Sequence, residues 1–506
     1  MTKIAVLGAG VMGSALAIPL ADNGHEVAIV GTEYDTATID SLRTTGIHPG
    51  LKLRMPAGVS AYPLDEAQEA FDGASVVIVG VASVGVAWAG TILADLLQPG
   101  TSVLTVTKGL LADEDGNFYS LPEAMEAALP PELAATTYWA AACGPSIARE
   151  VALRVDTAVI FAGPKKKANE ALADIFRTDR YHVWTTTDTI GAEVCAATKN
   201  VYAFAVGIGQ GIGSVALAES EITHAGPTPP QGMSSAGIGK KADEKAGGIG
   251  SGKGTREEAV AASSSSSTSN ETPQEAADHA TVTSGSSGDA SQNSAVSPLN
   301  EAATATSTGK GTGSNEGTTS DAGNEEAADL TDHLVEVASA VADSASTAAV
   351  EVGGGAVAAM ARAFAMLGLA SAEPLAWNPS SAIFAQGSRE MREFVKLAGG
   401  KVATVRGLGG VGDLFVTCTG GRNVQAGRYI GAGATFTEVQ NVLMKGVTIE
   451  GVSALESIGS ALTRLTDRGV VGAHEYPLFR YLYAVVIEDK PEQIPWDKFY
   501  GGYGED

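Results

Sequence analysis

"GAGVMGSALAIPLADNGHEVAIVG", residues 8–31, decides the fold. It follows "KIAVL" (3–7), a short apolar run ending at a glycine, which reads as a buried parallel strand. Gly8, Gly10 and Gly13 give G-x-G-x-x-G, with Val11 and Met12 between the last two. An apolar helix follows, and "HEVAIVG" (25–31) reads as a second strand. The spacing has a mechanism. One glycine makes a tight turn, one lets the backbone approach a pyrophosphate, and one lets helix and strand pack closely, with the helix N-terminus facing the phosphates. An acid after the second strand would hold a ribose hydroxyl and favour NAD, whereas a base would favour NADP. Thr32 and Glu33 stand there; Thr32 is neutral, so NAD and NADP both stay open.

Outward from this unit, "ASVVIVGVAS" (74–83), "TSVLTVTKGL" (101–110), "TTYWAAACGPSIARE" (136–150), "DTAVIFAG" (156–163) and "YHVWTTTD" (181–188) read as further strands. Strands alternating with helices give an open, mostly parallel, Rossmann-like sheet over residues 1–190. From 191 to 506 the pattern is helical, so the fold class expected is α/β followed by an all-α domain. The long apolar segment 189–211 comes first, and "SSAIFAQGSREMREFVKLAGG" (380–400) reads as a later helix. "VRGLGGVGDLFVTCTGGRN" (405–423) reads as a glycine loop, and C-terminal helices follow. No Phe, Tyr or Trp occurs between Phe204 and Phe364. Ser/Thr/Gly/Glu-rich sequence fills about 226–330, or 212–352 at its widest, and cannot bury enough apolar area to fold, so it reads as a disordered insertion in the helical domain. Within it, 330–352 has helical apolar spacing, and helical sequence resumes at 356–370.

The net charge of −25 leaves no basic excess for phosphate backbones, so no nucleic-acid partner is expected. The three scattered cysteines, Cys143, Cys195 and Cys418, suit a reducing cytoplasm better than a disulfide framework or zinc site. Outside Gly/Ala-rich stretches no uncharged apolar run has membrane-spanning length, and the first strand starts too early for a signal peptide.

Four polar clusters interrupt apolar surroundings. Lys108 lies at a strand exit on the carboxyl edge of the sheet, where open α/β sheets bind ligands. "CGPSIARE" (143–150) puts Gly144 and Ser146 around a proline, with Ser146 an N-cap candidate for the next helix. Lys199-Asn200 sits on a helix of Ala, Val, Phe and Gly, where an ammonium is costly to bury unpaired and its pKa can fall towards that of a proton donor. The fourth cluster gathers Asp413, Thr417, Thr419, Gly421, Arg422 and Asn423 behind glycines 407, 409, 410 and 412. A guanidinium and an amide near a helix start suit a phosphate. No Ser-His-Asp set and no metal-ligand spacing emerges, and hydride transfer requires neither.

"GAGVMGSALA", "VTKGL", "CGPSIARE", "ATKNVYAFAVGI", "GLGGVGDLFVTCTGGRN" and "EGVSAL" occur in this order, over about residues 1–211 and 375–490. Together they resemble the bacterial-type NAD(P)-dependent sn-glycerol-3-phosphate dehydrogenases. The resemblance implies reversible reduction of dihydroxyacetone phosphate to sn-glycerol 3-phosphate for phospholipid synthesis, in the cytoplasm, and it admits a homodimer. By motif it implies Lys199 as acid/base, Asp413 as its partner and Lys108 as a second cation, all three also touching substrate. Gly144, Ser146, Asn200, Thr417, Gly421, Arg422 and Asn423 complete the substrate set. Gly8, Gly10, Val11, Met12, Gly13, Thr32, Lys108, Ala148, Arg422 and Glu450 are the implied cofactor contacts. The chain departs from the family at Val11-Met12, where Ser or Asn and an aromatic are usual, at Thr32 in place of a base, and at Gly421 in place of serine. Two other readings share part of the pattern: a β-hydroxyacid dehydrogenase, and a dinucleotide-binding regulator without catalysis.

Overall fold

The computed structural model describes residues 1–225 and 377–499. The expected insertion at about 226–330 and the helical readings at 330–352 and 356–370 lie outside the described residues.

The N-terminal half is one eight-stranded sheet. Its strands are β1 (Lys3–Leu7), β2 (Glu26–Val30), β5 (Val59–Tyr62), β6 (Val76–Val79), β7 (Ser102–Thr105), β10 (Tyr138–Cys143), β11 (Thr157–Ala162) and β12 (Tyr181–Thr186). They run in the order β12-β11-β10-β7-β6-β1-β2-β5. Neighbours are parallel except β10 and β11, which pair antiparallel. Alternation on β1 shows why both faces are covered: Ile4 and Val6 enter one apolar cluster, Ala5 and Leu7 the other. Each fully buried Ile, Val or Leu side chain among them contributes about 1.5–3 kcal/mol.

Three pieces escape the sequence reading. The hairpins β3–β4 (Ile47–His48 with Leu53–Arg54) and β8–β9 (Leu110–Ala112 with Phe118–Ser120), and edge strand β5, are two to four residues long, too short for a periodic signal.

The helical half is built on one helix, Thr189–Ala225. It therefore continues through residues 212–225, inside the widest limit expected for the insertion. By length and composition Thr189–Ser220 could cross a membrane; here 78% of its apolar window is buried inside the fold. Its closest neighbour is the helix Arg422–Gly431, and the seam between them is made of glycines. A β-carbon on Gly207 would come closer than 3.0 Å to Val424 O, on Gly211 to Arg428 O, on Gly427 to Phe204 O, and on Gly431 to Ile208 O. Four glycines thus let two backbones touch. Buried Arg428 ties the same seam, its Nε donating to Gln210 Oε1 at 2.6 Å.

Two buried carboxylates fix the other helices. Glu390, on the helix Asn378–Leu397, accepts Leu478 N, Phe479 N, Gln386 Nε2 and Tyr202 Oη. It caps the helix Pro477–Val486 against the long helix. Asp188 accepts Gly191 N at the start of the long helix, and Lys401 N and Thr404 Oγ1 from the next segment. That clip sets the approach to Asp413.

Segment 405–423, expected to be a loop, is mostly helical. Leu408–Gly412 forms a π-type turn running directly into the helix Asp413–Cys418. The glycines serve the chain itself, since a β-carbon on Gly410 would collide with the Val405 backbone. Low helix propensity is overridden by this packing.

Candidate active site

The glycine loop has the shape its spacing implies. Gly8 has φ +101°, and a β-carbon there would lie 2.9 Å from Gly80 O. On Gly13 it would meet Val6 Cγ1 at 3.1 Å. Gly10 is different: its nearest neighbour would be Gly80 O at 3.5 Å, an ordinary contact. It N-caps helix α1 (Val11–Asp22) with no side-chain cap and no acid in the first turn. The amides at this helix start are left for an anion, so the loop fits a dinucleotide pyrophosphate. Val11 is exposed and Met12 half-buried.

Two residues that the sequence reading passed over hold the loop. Asp35 Oδ2 accepts Ala9 N at 3.1 Å, Thr32 N at 2.9 Å and Thr32 Oγ1 at 2.8 Å. Buried His48, on the unforeseen hairpin, accepts Leu51 N at Nδ1 (3.1 Å), which leaves Nε2 to donate to Ala9 O at 3.0 Å. Asp35 and His48 thus hold Ala9 by its N–H and by its C=O, the two peptides on either side of one loop residue. The signal for Asp35 was present as the acid three residues beyond Thr32; none existed for His48.

Across the carboxyl edge, Asp413 gathers the polar clusters. Its buried carboxylate takes the Lys199 ammonium on Oδ1. On Oδ2 it takes Lys108 Nζ at 3.3 Å and Gly144 N at 3.3 Å. Lys108 is placed by the segment after β7, where Thr107 Oγ1 donates to Val81 O at 2.7 Å. Two ammonium groups share one carboxylate. Burial, then the like charge of Lys108, pushes Lys199 down to about 8, against the pull of Asp413. For Lys108 burial also acts downward, but the Asp413 carboxylate and the Lys199 contact outweigh it, and the net shift is upward. Lys199, shifted down and with 8% of its side chain accessible against 23% for Lys108, loses a proton more readily than Lys108, which is shifted up.

A second buried acid lies near the pair. Glu193, six residues before Lys199, has Oε1 3.9 Å from Cys143 Sγ and no described hydrogen-bond partner at Oε2. Burial raises it to about 8, opposed by the Leu121 amide and Lys108. In the sequence it is an acid in the apolar segment 189–211, with no partner that local spacing could reveal.

The remaining expected residues divide. Asn200 Nδ2 donates to Glu450 Oε2 at 3.4 Å, and Arg422 Nη2 to Glu450 Oε1 at 2.8 Å. Asn423 Oδ1 accepts Gly451 N at 2.9 Å, seating the helix Glu450–Asp467. Gly421 N-caps the Arg422 helix with φ +96°. Thr417 Oγ1 donates to Asp413 O at 2.6 Å, on the same helix face one turn on, and Thr419 Oγ1 donates to Val416 O. Ala148 is half-buried against the apolar cluster under α1. Ser146 is not an N-cap: Ile147 holds that position without a side-chain bond, and Ser146 Oγ lies 4.0 Å from Met12 Sδ. The extended backbone at Ile147 starts the helix one residue later than the proline suggested.

A glycine cradle on a mostly parallel sheet, faced by a buried lysine–aspartate pair from a helical half, defines a dinucleotide-binding protein of the Rossmann-like class. Comparison narrows this. Models described as the N-terminus and the C-terminus of NAD-dependent glycerol-3-phosphate dehydrogenase match residues 3–169 and 347–495. The chain belongs to the NAD-dependent glycerol-3-phosphate dehydrogenase family. It is 39% identical over 203 residues to an NADP(+)-dependent glycerol-3-phosphate dehydrogenase of Archaeoglobus fulgidus, covering 40% of this chain and 59% of that one. A glycerol-3-phosphate dehydrogenase [NAD(P)+] of Geobacillus kaustophilus is 36% identical over 219 residues, 42% of this chain and 60% of that one. The matches thus span about three fifths of these relatives. In fold the chain is similar to a Coxiella burnetii glycerol-3-phosphate dehydrogenase, with TM-score 0.56, 19% identity and coverage of 96% and 95%. A Plasmodium falciparum glycerol-3-phosphate dehydrogenase gives 0.58, 14%, and 100% and 97%.

Proposed function

We propose that this chain interconverts dihydroxyacetone phosphate and sn-glycerol 3-phosphate with NAD or NADP, supplying glycerol phosphate for phospholipid synthesis. The observation that carries the reading is Asp413, whose carboxylate joins Lys199, Lys108 and Gly144 N at the edge of the sheet. When bound, the nicotinamide supplies or accepts hydride at substrate C2. Lys199 gives its proton to the C2 oxygen during reduction and takes the hydroxyl proton back during oxidation. Asp413 aims the ammonium, and Lys108 both lowers the proton affinity of Lys199 and adds positive charge for an anionic substrate. Arg422 and Asn423 hold the phosphate, beside the Lys199-Asn200 turn. Arg422 is tied to Glu450, but both side chains are about half exposed, and such pairs are worth about 0–1 kcal/mol, so a phosphate can displace the carboxylate. Glu450 is then released towards the cofactor side.

The test is oxidation of NADH and of NADPH by the full chain with dihydroxyacetone phosphate, against 3-oxo acids as competitors. Turnover with 3-oxo acids alone would make the chain a β-hydroxyacid dehydrogenase. Dinucleotide binding with no turnover on any of them would make it a regulator.

A further inference from the structure

We propose that the hairpin β8–β9 is a positioning element for the reaction: docked on the helix Glu450–Asp467, it fixes where Lys108 stands beside Asp413 and Lys199, with Ser457 and Gly116 as the residues that seat it. This rests on the reading of Lys199 as the acid/base. The hairpin begins two residues after Lys108. By sequence it belongs to the sheet half, yet its side chains enter the helical half. Leu110 is buried in the helical core cluster, and Phe118 packs against that cluster, its ring edge-on to Phe394 with centroids 6.4 Å apart. The rest of the docking runs down the Glu450 helix. Ser457 Oγ donates to Leu110 O at 3.0 Å. A β-carbon on Gly116, at the hairpin tip with φ +86°, would lie 3.0 Å from Ala461 O and 3.1 Å from Leu465 Cγ. Arg468 Nη1 donates to Asp115 O and faces the Asp115 carboxylate at 3.7 Å. Ser457, Ala461, Leu465 and Arg468 follow one another at the spacing of a single helix face. The same helix starts at the other end of the site, where Glu450 takes Arg422 and Asn200, and Gly451 N donates to Asn423 Oδ1. One rigid element therefore reaches from Arg422 and Asn423 to the hairpin behind Lys108. Lys108 is held between Thr107, tied to Val81 O, and the docked hairpin. The downward push of Lys108 on Lys199 depends on the distance that this docking sets.

The experiment is the pH dependence of kcat/KM for dihydroxyacetone phosphate reduction by the full chain, in the wild type, Gly116→Ala and Ser457→Ala. The titratable groups facing the two lysines are Asp413, Glu193, Cys143 and Cys418. Neither substitution alters any of them or adds a charge, so a shifted midpoint can come only from a displaced one. Gly116→Ala strains the left-handed turn and pushes the tip off the helix. It should lower kcat/KM about tenfold and move the alkaline fall up by about half a pH unit or more, because Lys108 pushes less on Lys199 and leaves it more of Asp413. Ser457→Ala should act in the same direction by a smaller step. Ser457→Thr, which keeps the hydroxyl, should restore the wild-type midpoint. If Gly116→Ala does not fold, the two Ser457 variants decide alone. An unmoved midpoint in the alanine variants, whatever their activity or melting temperature, overturns the proposal and leaves the Lys199 reading standing. A wild-type profile flat from about pH 7 to 9 overturns both together.

Discussion

Two glycine sets in this chain look alike as sequence and differ in what occupies the space beside them. At Gly10, unlike its loop neighbours Gly8 and Gly13, a β-carbon would make only an ordinary contact, with Gly80 O at 3.5 Å, and the helix behind it lacks a side-chain cap. At Gly207, Gly211, Gly427 and Gly431 the space is filled by the facing helix backbone. The first set offers amides to something outside the chain; the second brings two parts of the chain together. The closed seam has a function of its own, because it presses Lys199-Asn200 and Arg422-Asn423 into one neighbourhood. A missing β-carbon alone therefore says nothing about a ligand. The atom that would have met it does.

The comparison can be broken at several points. The largest effect is expected at the group that the seam positions: Lys199→Ala should lower turnover about 100-fold or more, the scale of a lost general acid, with NADH affinity unchanged by fluorescence titration. Normal turnover would remove Lys199 from the chemistry. Next, Gly427→Ala should destabilise the fold by about 3 kcal/mol in denaturant titration, because the methyl would overlap the Phe204 carbonyl. A neutral result would mean the seam is not tight. Gly10→Ala should do the reverse: stability within about 0.5 kcal/mol, because the methyl makes only ordinary contacts, but dinucleotide affinity lowered about tenfold. If Gly10→Ala unfolds the protein and leaves binding intact, the two sets are of one kind. The smallest effect is in pH. Lys199 must be charged to reduce, so kcat/KM for reduction should fall as pH rises through about 8, to about half its neutral plateau at that pH, and kcat/KM for oxidation should rise over the same range. A flat profile from pH 7 to 9 would exclude Lys199 as the titrating donor.

The sheet half was legible because its strands are continuous apolar runs between turn signals, and β1, β6 and β7 lie where they were expected. Lys199 was legible as a charge that its own helix could not solvate. Its partner was visible only through the order of motifs, since 214 residues separate Lys199 and Asp413 and no local pattern spans that distance. The turn at 408–412 was misread because glycine composition says loop, whereas contact with Val405 imposes a helical path. Asp35 and His48 escaped because both act on the backbone of one loop residue, Ala9, and sequence does not show what a side chain reaches.

Asp413 also bears on how the molecule comes into being. Its three ties close chain separations of 214, 269 and 305 residues. Contacts so distant in sequence form late, after their loop-closure entropy has been met by other packing. During refolding, sheet and helices can accumulate while the two lysines still lack their common counter-ion. Recovery of activity should therefore lag behind recovery of secondary structure, and enzymatic competence becomes a report that both halves have docked.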